Sequence, residues 1–182
     1  MDLSKGKNKT KALISLALYQ VILKQHGYEN ITVKDICETA GVSRMSFYRY
    51  YNKKDDIFID YCDERFAEFY EEFFQNGNPS MHTFIVGMFS YFSKYSRQLL
   101  ILKKANKQNL LMEQFDSYAR YLINNWKVLK DRRDVHNNPV IAPFLSGGFF
   151  NVLMQWLDGG MKESVEEMTK ALFSLFPGIE DK

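Results

Sequence analysis

The chain has 182 residues, 46% of them apolar, with a formal net charge of +2. That length suits one domain, or a small head on a larger core domain, and the apolar share is enough for a real core. Four prolines and few β-branched runs favour an all-helical chain, and no apolar run is long enough to span a bilayer.

The charge is unevenly placed. Residues 1–54 hold ten basic and four acidic residues, +6, which leaves 14 basic and 18 acidic residues for the other 128, −4. A basic head on an acidic body is the asymmetry expected where one end meets a polyanion, although Lys-rich termini also serve solubility. Cys37 and Cys62 fall inside expected helices, and with no signal peptide they read as reduced thiols in a cytoplasmic protein.

Met1 to Lys11 is polar and basic and reads as a loose arm whose lysines would meet phosphate or lie near a minor groove. From about Lys9 to His26 a helix carries Leu13, Ile14, Ala17, Leu18, Val21 and Ile22 at helical spacing. Thr32 then offers an N-cap, with Asp35 placed to reach back to the free amides. Val33, Ile36, Cys37 and Ala40 give the second helix its inward stripe, and Gly41 stops it. Val42 plugs the corner and Ser43 caps a third helix. Phe47 and Tyr51 can point inward, which leaves Arg44, Met45, Ser46, Tyr48 and Arg49 outward. Two helices braced across a Gly-containing turn form a helix-turn-helix, whose second helix fits a DNA major groove.

A long fourth helix, capped by Asn52 and opened by Asp55 and Asp56, is expected to reach Gln75. Asn76-Gly77-Asn78-Pro79 breaks the chain. The fifth helix runs from about Met81 to Tyr95, a short sixth from Arg97 to Lys104, and a seventh from about Leu110 to Leu129. Lys130 to Asn138 is turn-like, Pro139 opens an eighth helix that ends at Gly159-Gly160, and Ser164 to Glu167 is a capping box for a ninth that ends near Phe176, before Pro177-Gly178. The division expected is a DNA-binding domain over 1–53 and a helical body over 54–182, joined inside continuous structure.

The residues Thr32, Val33, Ile36, Ala40, Gly41, Val42, Ser43, Phe47, Tyr48, Tyr51, Lys54, Asp55 and Ile57 resemble the signature of the TetR family of bacterial transcription regulators. The motif covers about a sixth of the chain; the other helices match in pattern more than in identity. Met45 departs from a small residue, and Tyr50 from a histidine, that the family often has there. Those departures bear on the operator sequence, not on the fold.

The candidate DNA contacts follow by chemistry. Arg44 can bond guanine O6 and N7 together, Met45 can lie against a thymine methyl, and Ser46 can touch a base or a phosphate. Thr32, Ser43, Tyr48 and Lys54 suit phosphate, Tyr48 and Lys54 at matching family positions, while Arg49 and Tyr50 reach toward the backbone. The resemblance further implies a small-molecule pocket in the body, with Phe66, Phe69, Tyr70, Phe84, Met88, Phe92, Phe115, Tyr118, Tyr121 and Trp126 as wall candidates. Packing of an ordinary core is the competing reading of each ring. The resemblance also implies a homodimer through the last two helices, by Phe144, Leu145, Gly148, Phe149, Val152 and Trp156 on one and Val165, Met168, Leu172 and Leu175 on the other. The same faces would otherwise close the monomer's own core.

His26, His82 and His136 are scattered without metal-ligand spacing, and no phosphate loop, nucleophile elbow or Cys-x-x-Cys occurs. No cofactor, metal or catalysis is expected. The expected function is that of a homodimeric repressor of a near-palindromic operator, released by a small molecule. The rivals are an activator or a protein-responsive regulator of the same fold, and a helical carrier of an apolar molecule that no longer binds DNA.

Overall fold

The computed structural model describes residues 9–24, 27–75, 77–130 and 138–174. Among these residues all regular structure is helical. The helices are α1 (Lys9–Lys24), α2 (Val33–Ala40), α3 (Arg44–Tyr48), α4 (Asp55–Phe74), α5 (Met81–Lys94), α6 (Ser96–Lys104), α7 (Gln108–Asn125), α8 (Lys127–Lys130), α9 (Ile141–Asp158) and α10 (Val165–Phe173), with a 3-10 turn at Tyr28–Asn30. The arm before Lys9, His26, His136, Leu175 and Pro177-Gly178 lie outside the described residues.

The chain gathers into two compact units, one formed by the residues up to Ala67 with Arg97–Leu111, the other by Glu68–Ser96 with the chain from Met112 onward. The unit that holds the helix-turn-helix therefore continues past residue 53, into the first three turns of α4 and the segment around α6.

In the first unit α1 buries Ile14, Ala17, Leu18, Val21 and Ile22. These residues and Ile31, Ile36, Phe47, Tyr51, Ile57 and Phe58 are among its buried apolar side chains. Polar ties hold α4 to the head. Asp60 accepts from the Tyr51 hydroxyl at 2.8 Å and from the Lys11 ammonium. Asn52 was expected to cap α4. In the structure the Asp56 carboxylate, in the first turn of α4, accepts from the amides of Asn52 (2.8 Å) and Lys53 (3.1 Å), which lie before the helix and tie the entering chain to it.

In the second unit Gly87 of α5 lets the Phe73 ring lie on the helix backbone, and a Cβ there would stand 2.3 Å from Phe73 Cε1. α10 packs along α5. The expected seventh helix is divided. The Lys127 amide donates to Asn78 Oδ1 at 3.0 Å, so the helical ladder is interrupted at Trp126 and α8 follows as a separate turn. The Ser164 capping box forms as expected, with Glu167 N bonded to Ser164 Oγ at 3.2 Å and Ser164 N to Glu167 Oε2 at 2.7 Å.

Candidate nucleic-acid interface

Three local devices shape the helix-turn-helix. Thr32 caps α2 through a closed box, in which Asp35 N donates to Thr32 Oγ1 at 3.2 Å and Thr32 N donates to Asp35 Oδ2 at 2.8 Å. The hydrogen bonds from Thr32 hold the Asp35 carboxyl below the ordinary carboxylate range. Gly41 ends α2 in the left-handed conformation, φ 66° and ψ 33°, and its amide turns back to the Glu38 carbonyl. Ser43 then caps α3, its Oγ accepting from Ser46 N at 3.0 Å.

Phe47 is the anchor of α3. It is fully buried and sits with ring centroids 5.7 Å from Tyr51. With that face fixed inward, the opposite face is presented to solvent. Arg44, Met45, Tyr48 and Arg49 are all exposed, Met45 at 77% and Tyr48 at 57%. Neither arginine forms an ion pair among the described residues. Ser46 is half-buried, and its hydroxyl lies 3.0 Å from that of Ser43, so the pair is engaged in the cap. Tyr50 is half-buried. Cys37 lies buried in α2, where burial pushes its thiol up against the opposing influence of the Arg44 guanidinium.

Lys54, expected to clamp phosphate, is half-buried beside the turn that leads into α2. Its ammonium donates to the carbonyls of Tyr28 (2.8 Å), Glu29 (3.2 Å) and Ile31 (2.8 Å). It also stands 4.3 Å from the centre of the Tyr28 ring. Its donors are thus engaged by the turn that leads into α2. Tyr28 and Lys107 complete this node, and neither was singled out from the sequence. Only tertiary packing brings residues this distant together, so no spacing rule could have found them.

A family profile described as bacterial regulatory proteins, tetR family, matches residues 21–61, and one described as transcriptional regulator C-terminal region matches residues 79–178. The chain belongs to the TetR family. TetR-family regulators bind DNA and small-molecule effectors, usually as dimers, and the matched residues 21–61 contain the whole braced pair α2–α3. Comparison with curated proteins gives no match. The chain is similar in fold to the fatty acid degradation regulator FadR from Bacillus halodurans, with a TM-score of 0.62 at 20% identity, over 98% of this chain and 100% of that one.

The body of this TetR-family chain is rich in touching rings. Phe69, Phe84 and Trp126 form one run, with centroids 5.6 and 4.6 Å apart, and Tyr70 meets Tyr121 edge-on at 5.3 Å. Phe92, Phe115 and Phe149 form a second run, at 5.2 and 6.1 Å. Trp126 is core: it is buried beside Ile123, Leu129 and Ala142, and its indole N–H is satisfied by the Pro79 carbonyl at 3.0 Å. Met88 and Tyr118 are half-buried, and Phe66 is buried in the first unit. A small recess is bounded by Glu72 and Phe73 of α4 and Ser90, Tyr91 and Lys94 of α5.

On the expected dimer helices the residues divide. Phe144 (63%) and Gly148 are exposed, and Leu145, Phe149 and Val152 are half-buried. Val165, Met168 and Leu172 of α10 are also half-buried. Trp156 turns into its own chain, with its N–H on the Glu163 carbonyl at 3.0 Å and its ring against Phe89.

Proposed function

We propose that this TetR-family regulator is a homodimeric repressor that binds a near-palindromic operator through α3 and leaves it when a small molecule occupies the body. The observation that carries the reading is the outward set Arg44, Met45, Tyr48 and Arg49 on a helix held by Phe47 and capped by Ser43. Arg44 reads a base edge and Met45 a thymine methyl; Thr32, Ser43, Tyr48, Arg49 and Tyr50 meet the phosphate backbone. Ser46 supports the cap first and touches DNA second.

Two recognition helices must reach major grooves about 34–36 Å apart, which requires a two-fold pair of chains. The outward face of α9, with Phe144, Leu145, Gly148 and Val152, supplies the apolar strip for that pairing, together with Met168 and Leu172 of α10. The aromatic and methionine side chains of the body, Phe69, Tyr70, Phe84, Met88, Phe92, Phe115, Tyr118 and Tyr121, suit a flat or apolar effector. Such a ligand shifts the DNA-binding equilibrium only by its difference in affinity for the two states.

Selection of duplexes from a random pool, followed by titration at two salt concentrations, tests the reading. A two-fold-symmetric consensus bound far more tightly than random duplex is the expected result. Arg44→Ala should then weaken the consensus by roughly 1–3 kcal/mol and leave random duplex nearly unchanged. Binding that ignores sequence and vanishes with salt would leave phosphate electrostatics alone and favour the carrier.

A further inference from the structure

Lys107 is separated from the recognition helix by nearly sixty residues, yet it belongs to the same compact unit. Asn106 before it takes a left-handed φ of 55°, and the Lys107 amide turns back to the Leu102 carbonyl at 3.0 Å. This fold-back ends α6. The Lys107 ammonium stands 3.3 Å from the Glu29 carboxylate, 3.5 Å from that of Asp55 and 4.9 Å from the centre of the Tyr28 ring. Tyr28 in turn donates its hydroxyl to Asp55, and Lys54 binds the Tyr28, Glu29 and Ile31 carbonyls. Tyr28 and Glu29 lead directly to Thr32, the cap of α2, and Asp55 is the first residue of α4. One cation thus ties the turn after α6 to the two elements that flank the helix-turn-helix. Its side chain is only 17% exposed, so salt screens the Asp55 pair less than an open surface pair.

Resting on the DNA-binding reading, we infer that Lys107 is a positioning residue that makes the head and the α6 segment respond together to DNA. The segment 97–111 is joined at both ends, after Ser96 and before Met112, to the unit that carries the aromatic body. Occupancy of α3 is therefore felt at α6, and by reciprocity a change at α6 alters DNA affinity.

The test is amide hydrogen exchange of the full-length protein, free and with the duplex it selects, for wild type, Lys107→Met, Asp55→Asn and Lys104→Met. In the wild type, DNA should slow exchange over 43–49 and also over 101–107, which holds none of the residues assigned to DNA. In Lys107→Met the slowing over 101–107 should be lost while that over 43–49 persists. Lys104→Met, which removes the same charge from an exposed neighbour, should keep both. Asp55→Asn keeps an acceptor for Tyr28 and should reduce the slowing over 101–107; an acidic residue is no phosphate contact, so this loss separates coupling from a direct Lys107–DNA contact. Slowing over 43–49 alone in the wild type, or slowing over 101–107 that survives in Lys107→Met, overturns the inference and leaves the regulator reading intact. No slowing over 43–49 in the wild type overturns both.

Discussion

The ammonium of Lys54 stands 2.8 Å from the carbonyl oxygen of Ile31, the residue just before the Thr32 cap of α2. A side chain at the mouth of α4 thereby fixes the turn from which the helix-turn-helix starts. Lys54→Met keeps the stem and removes all three carbonyl bonds. It should destabilise the chain by about 2 kcal/mol, the cost of leaving partly buried acceptors short of a charged donor. Chemical denaturation should show this as a lower midpoint with an unchanged slope.

Gly41 isolates a purely conformational cost. A Cβ at this position meets nothing within 4 Å, so Gly41→Ala should cost about 1–2 kcal/mol through its left-handed φ alone. Gly41→Asn should cost less, since asparagine tolerates that region. Thermal unfolding of the two variants side by side checks the order.

Gly87 and Phe73 make an opposite case, in which space and not φ decides. Gly87→Ala should destabilise by about 1–3 kcal/mol through overpacking against the ring. In a Phe73→Ala background the same change should turn stabilising, since alanine is the better helix former by about 1 kcal/mol. A double-mutant cycle that came out additive would remove the contact as the cause.

Alkaline pH should unfold the first unit. Burial, followed by the bond to Asp55, raises the Tyr28 phenol well above its ordinary value, and burial with the bond to Asp60 does the same for Tyr51. Burial also raises Tyr19 and pushes the Cys62 thiol up to about 12. The unfolded chain ionises these groups near pH 9 to 10, so it releases protons that the folded chain still holds. Their contribution is complete below about pH 8.5 and is lost as pH rises toward their folded values. Burial lowers the Lys54 ammonium and opposes this trend with a single group against five, the raised Cys37 thiol included. Tyrosinate absorbance should therefore show a late fraction that appears together with loss of helix.

Phe144 tests the pairing surface. Phe144→Asp places a charge on the exposed face of α9, where the single chain is expected to tolerate it. Sedimentation should show a shift from dimer to monomer with helix content preserved. Affinity for the selected duplex should fall with it, because one recognition helix cannot span two half-sites.

Much of the head was legible in the chain, because its determinants are local. Thr32, Asp35, Gly41 and Ser43 act on amides and φ angles within a few residues, and Phe47 and Tyr51 follow helical spacing. The exposed set on α3 followed from the same periodicity, and so did the all-helical class. The role of Lys54 was not legible, since its partners lie 23 to 26 residues away. The same holds for the break before Lys127, where the Asn78 side chain takes an amide 49 residues distant, and for the inward turn of Trp126 and Trp156. By itself the sequence determined which segments are helices and which side of α3 is presented, because propensity, capping and periodicity act over one or two turns. Only the tertiary structure decided which charges are spent inside the fold, because a lysine's partner is chosen by the carbonyls and carboxylates that packing brings within 3 to 4 Å.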